Sequence, residues 1–300
     1  MTGPGFTTLP LELQRVIFEI AALSRPTEML SQMRVAWRVK HWVEPFLYRV
    51  ILISPLSDTE CIQRAEGFPS IRIDPLLEKI RTKGVPFFRS SVTHIFFEHW
   101  LVPPLKTVLE ACPLVKTLYF APPHHDPEYL PILNRLECLH RLTLDDTLFG
   151  DEPFDFSQPL FRNLTHLEIL DYYDDDMGAN IGESLGMGMI PHLTHLALNT
   201  TEVDTALHPQ IRAHTRLECI VFLISHATAR RTLLPDRHPD SDDDRFVLIQ
   251  QRDFRRGWFR GAAGRRDYWE LAEEFLAARR AGTIDRSQYC TIDPEDPGWI

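Results

Sequence analysis

Few residues of this 300-residue chain have the types and spacing that chemistry requires. His166 and His195 each sit in the phrase Leu-Thr-His-Leu. On neighbouring strands of one sheet they would stand about 4.8 Å apart. With Glu168 and Cys219 nearby, they would offer donors of the kind zinc takes. The phrase also repeats with the fold, and nothing else in the chain supplies a dedicated ligand set. Ordinary polar surface is the preferred reading, and neither metal nor cofactor is expected. His124-His125-Asp126, beside Pro122-Pro123, reads as a turn. Asp171, Asp174, Asp175 and Asp176 lack the register of a calcium loop. Gly186-Met187-Gly188 lacks the third glycine of a dinucleotide fingerprint. Gly-x-Ser-x-Gly, His-Glu-x-x-His and Walker patterns do not occur. No catalytic residue is assigned, and the chain is not expected to be an enzyme.

One basic patch contains Arg252, Arg255, Arg256, Arg260, Arg265 and Arg266, interleaved with Phe254, Trp258 and Phe259. An RNA-binding loop can look similar. The net charge of −10, with an acidic run from Asp236 to Asp244 just before the patch, favours internal charge balance or a surface loop instead. Nucleic acid is therefore not an expected partner. Five scattered cysteines, without zinc or redox spacing, argue against a disulfide framework. No apolar run is long enough for a membrane span, and residues 1–8 carry no secretory signal. A reducing compartment, cytoplasmic or nuclear, is the expectation.

The elements that would position these residues follow one pattern: an apolar residue, two of any kind, an apolar residue, one of any kind, and another apolar residue. It occurs at Val92/Ile95/Phe97, Val115/Leu118/Phe120, Leu139/Leu142/Leu144, Leu164/Leu167/Ile169, Leu193/Leu196/Leu198 and Leu217/Ile220/Phe222. Successive starts are 23, 24, 25, 29 and 24 residues apart. That period matches leucine-rich repeats of about 20–29 residues. Alternation at the last two positions fits a short strand with one buried face. A single unit cannot bury its own apolar face, whereas stacked units make one continuous core. Residues 47–250 are therefore read as an irregular α/β solenoid with a parallel sheet, starting from a strand at Leu47–Ile53. Helical stripes fall between the strands, at Ile73/Leu76/Leu77/Ile80, Leu105/Val108/Leu109/Cys112 and Tyr129/Leu130/Leu133/Leu136.

Upstream, Leu9 to Ala22 reads as a helix behind a Thr8 cap, with Leu13, Val16, Ile17 and Ile20 on one stripe. Met33 to Val43 reads as a further helix ended by Pro45. The run Leu9-Pro10-Leu11-Glu12-Leu13, then Val16-Ile17-Phe18, resembles the opening of an F-box. Arg34 to Trp42 and the following Val43 to Val50 resemble its third helix and exit. Over nearly its full length, the chain is similar to the F-box-like proteins of mushroom-forming fungi. In these, a short F-box precedes irregular leucine-rich repeats and a C-terminal aromatic–acidic helix. The resemblance implies that residues 1–46 bind the Skp-type adaptor of a cullin–RING ubiquitin ligase. Carried over, Leu9, Pro10, Leu13, Ile17, Val35 and Trp42 would supply the contact. Leu13, Ile17, Val35 and Trp42 could equally form the core of a three-helix unit.

Residues 251–300 are read as a cap helix and tail. Asp267 to Ala281 is a helix with Asp267 as its cap and Gly282 as its stop, expected to close the end of the stack. Ser287 to Ile300 is read as a tail. If the triads face the core, intervening residues face the open side of the sheet. Phe96, Tyr119, Arg141, His166, Glu168 and His195 would lie there and hold a client protein, with Tyr119 and Arg141 foremost. The expected function is a substrate receptor acting by proximity. The alternative is a recognition scaffold unconnected to ubiquitin.

Overall fold

The computed structural model describes residues 9–53, 73–98, 102–122, 124–149, 155–170, 186–199, 211–225, 242–251 and 254–294. Two longer helices, α1 (Leu11–Ser24) and α3 (Trp37–Leu47), flank the one-turn α2 (Met29–Gln32). They enclose a small core of Ala22, Met29, Val39 and Val43, with Phe18, Trp42 and Phe46 packed against it. Thr8 lies outside the described residues, and α1 starts after Pro10. The second long helix begins and ends later than expected, and Pro45 lies inside its last turn.

Nine strands follow: β1 (Val50–Ile53), β2 (His94–Phe97), β3 (Thr117–Phe120), β4 (Arg141–Asp145), β5 (His166–Leu170), β6 (His195–Asn199), β7 (Cys219–Ser225), β8 (Phe246–Gln251) and β9 (Cys290–Ile292). Among the described residues they form one parallel sheet in chain order, not closed into a barrel. The repeat sets the register. Ile95, Leu118, Leu142, Leu167, Leu196 and Ile220 pair in one row, and Phe97, Phe120, Leu144, Ile169, Leu198 and Phe222 in another. Ile51 and Ile53 extend these rows at one end, and Phe246 and Leu248 at the other. All of these residues belong to one buried apolar cluster. The architecture is thus α/β and solenoid-like, and β1 is its first strand.

Parallel sheets need both faces covered, because each strand presents apolar residues on either side. One face packs on the connecting segments. These include α4 (Ile73–Lys83), α5 (Val85–Ser91), α6 (Val102–Ala111) and α7 (Tyr129–Leu133), whose Leu76, Ile80, Phe88, Leu105, Val108 and Leu133 join the main cluster. Gly84 alone, at φ +82°, separates α4 from α5, which begins on the next residue.

The opposite face differs most from expectation. It is covered by α8 (Phe254–Ala262) and α9 (Tyr268–Arg280). Asp267 does cap α9, its carboxylate accepting from the Glu270 N–H at 2.9 Å, and Gly282 follows the helix at φ +72°. The helix does not close the end of the stack. It lies on the sheet, packing Leu271, Ala272, Phe275 and Leu276 against Val221, Leu223, Val247 and Ile249. The expected tail contributes β9, which pairs with β8 at the end of the sheet. The two helices meet closely because Gly257 and Gly261 lack side chains. A Cβ at either would come within 2.6 Å of Tyr268 or Asp267.

Candidate functional site

Two surfaces carry the residues singled out by sequence. The first is the sheet face expected to hold a client. Register does bring its residues together, since His94 pairs with Thr117, Thr117 with Arg141, Arg141 with His166 and His166 with His195. The expectation of an open face fails. Phe96, Tyr119, Glu168 and His195 are all buried, and His166 is mostly so. Phe96 and Tyr119 stack at 4.2 Å and are roofed by Trp258 and Phe259 of α8. Burial of these apolar surfaces drives the C-terminal segment onto the sheet. Arg141 keeps partial exposure but is engaged by Asp267 at 3.0 Å.

Sequence reasoning missed this cover because α8 reads as a basic surface patch. Arginines of this patch are instead paired with carboxylates of the same chain. Arg260 meets Asp293 at 2.7 Å, Arg255 meets Glu98, and Arg266 meets Glu274. Arg252 lies outside the described residues. The available signal was the pair Phe254 and Trp258, four residues apart and so on one helical face.

Burial changes the chemistry of this face. Glu168 sits under Tyr268 and accepts from the Thr143 hydroxyl at 2.7 Å. Burial pushes its carboxyl up to about 7, against the opposing pull of that hydrogen bond. His94 is pushed down to about 3 and His166 to about 2, in each case mainly by burial. His195 is lowered for the same reason, with Glu273 opposing. The Cys219 thiol is raised to about 12, which removes it as a thiolate donor at neutral pH. Around Arg141 the cover leaves a cavity of about 260 Å³, whose lining includes His94, Lys116, Arg141, Trp258 and Tyr268.

Glu168 sets a measurable pH dependence. The unfolded carboxyl ionises near 4.5, whereas the folded one keeps its proton up to about 7. Between those values the unfolded state binds fewer protons, so the contribution of Glu168 to stability falls as pH rises. The shift amounts to roughly 3 kcal/mol. Glu168→Gln cannot ionise and keeps an acceptor for Thr143. Its stability relative to wild type should therefore improve by about that amount between pH 4.5 and pH 7 in urea melts. A difference that stays constant across this range would show that Glu168 is ionised in the folded protein.

The second surface is on the N-terminal helices. Leu13, Val16, Ile17 and Ile20 form the expected stripe of α1, yet they are 46–58% exposed. The buried side of the helix is the one bearing Ala22, with Phe18 half-buried beside it. Leu9, Pro10 and Val35 are exposed as well, and Trp37 beyond them is 79% exposed with Lys40 over its ring. Trp42 is different. It is half-buried and packs on Phe18, with ring centroids 6.4 Å apart. Of the residues that could have formed the core of a three-helix unit, Trp42 takes that place, while Leu13, Ile17 and Val35 point outward.

The molecule is thus defined as an α/β repeat protein with an open parallel sheet, one face of which its own C-terminal helices cover, and with an apolar stripe on its N-terminal helices. No family model matches the chain, and no curated protein matches it. No helix among the described residues is long and apolar enough to cross a membrane.

Proposed function

We infer that the chain is a protein-interaction protein of the F-box type, with irregular leucine-rich repeats, that docks a Skp-type adaptor through its N-terminal helices. The observation carrying this reading is the outward apolar stripe of α1. An amphipathic helix normally turns such a stripe into its own core. Here Leu13, Val16, Ile17 and Ile20 face solvent, and Leu9, Pro10 and Val35 are exposed too. Contiguous apolar surface of this kind marks a docking site. The residues for which the resemblance implies adaptor contact are, Trp42 apart, the exposed ones. As a substrate receptor the protein would perform no bond chemistry and would act by raising the client concentration near the ligase. A client cannot touch Phe96, Tyr119, Glu168 or His195 while α8 and α9 cover them.

Purified chain and Skp-type adaptor are expected to form a one-to-one complex in a pull-down and by calorimetry. The double variant Leu13→Asp, Ile17→Asp alters exposed positions only, so it should fold normally by circular dichroism and lose at least a hundredfold in affinity. If the well-folded wild type shows no binding, the N-terminal helices are reduced to a structural unit, and the scaffold reading takes first place.

A further inference from the structure

His166 and His195 do meet a carboxylate, but not the one expected from sequence. Glu168 is taken up by Thr143, while Glu273 reaches down from α9 on the same helical face as Trp269. The ligand atoms of His166, His195 and Glu273 all lie within 4.8 Å of one another. The two imidazoles stack at 4.1 Å with an interplanar angle of 11°, and Trp269 meets both edge-on.

Threonine hydroxyls flank both rings. Thr165 Oγ1 lies 2.9 Å from His166 Nδ1, and Thr194 Oγ1 lies 2.8 Å from His195 Nδ1. His195 Nε2 stands 2.9 Å from Glu273 Oε1. A threonine oxygen can accept from an Nδ1–H, which frees Nε2 for an ion, the usual arrangement of histidine metal ligands.

We propose that His166, His195 and Glu273 bind a divalent transition-metal ion, zinc being the best fit, which clamps α9 to β5 and β6. Two histidines and one glutamate are an established zinc donor set, with a fourth position left for solvent. The Glu273 side chain is 55% exposed and gives the ion access. Bonds near 2.0–2.1 Å place tetrahedral ligand atoms about 3.3 Å apart, so the site closes when the two stacked rings turn to aim their Nε2 atoms at one ion and the surface glutamate follows. The ion would join two strands to the helix that covers them, and so hold the cover down.

Zinc chloride titrated calorimetrically into the EDTA-treated full chain should show one site per molecule, with a dissociation constant of about 10 µM or below. Cobalt(II) should give the visible absorption of a tetrahedral N/O site. His124→Ala, His125→Ala, remote from the site, should bind as wild type. Glu273→Ala and His166→Ala should each lose at least tenfold, and zinc should raise the melting temperature of wild type but not of Glu273→Ala. Because Glu273 is largely exposed, its variants keep the test valid even if His166→Ala folds poorly. No zinc site in the well-folded wild type would overturn the proposal. Wild-type affinity in Glu273→Ala would overturn it equally.

Discussion

Tyr119→Ala is expected to destabilise the protein by about 3–5 kcal/mol in denaturant melts, the range for deleting a buried aromatic ring. As a surface residue contacting a client, Tyr119 would cost little when truncated. The structure places it at 1% exposure, stacked on Phe96 at 4.2 Å beneath Trp258. Removing the ring opens a cavity between the sheet and α8. The neighbours are other rings with few alternative rotamers, so collapse is limited. Tyr119→Phe keeps the ring and should cost under about 1.5 kcal/mol, the range of a single hydrogen bond. The wild-type denaturation slope should be retained in both variants, because the surface exposed on unfolding hardly changes. A Tyr119→Ala variant within about 0.5 kcal/mol of wild type would mean that α8 does not cover this face in solution.

Asp293→Ala should have an effect of similar size. Arg260 and Asp293 form an ion pair at 2.7 Å, with side chains only 2% and 7% exposed. It joins α8 to the residue that follows β9. A guanidinium deprived of its buried carboxylate keeps the cost of desolvation without the compensating attraction. Breaking such a pair costs about 3–5 kcal/mol. Replacing both partners, as Arg260→Met with Asp293→Leu, should recover most of that loss, because neither charge then needs solvating. Urea melts of the two single variants and the double variant complete the cycle. Additive losses would show that the pair is not coupled in the folded state.

Both variants act on the part of the fold that was hardest to read. Nothing in the triads marks the second face of the sheet as covered. Phe96 and Tyr119 alternate with Thr143 and Glu168 in neighbouring repeats, a mixture that suits an exposed recognition surface as well as a buried one. The same ambiguity holds at α1. Leu13, Val16, Ile17 and Ile20 have the spacing of a core-facing stripe, and periodicity alone cannot tell a helix that faces its own core from one that faces outward. His166 and His195 were legible as neighbours because strand register follows directly from the repeat. Their carboxylate partner was not, since Glu273 lies 78 residues beyond His195 and reaches it only through the packing of α9.

The sequence by itself determined the repeat, and with it the parallel strand order, the register and the identity of the main core. These depend on local apolar spacing, which each unit carries within some two dozen residues. Tertiary structure alone decided what covers the other face, which stripe stays outside and which carboxylate joins the histidines. Those outcomes depend on where α8 and α9 come to rest. That position is set by contacts between distant segments, chiefly Phe96 and Tyr119 with Trp258 and Phe259, and Arg260 with Asp293. The apolar area and paired charges that favour it come into being only when the two halves of each contact meet.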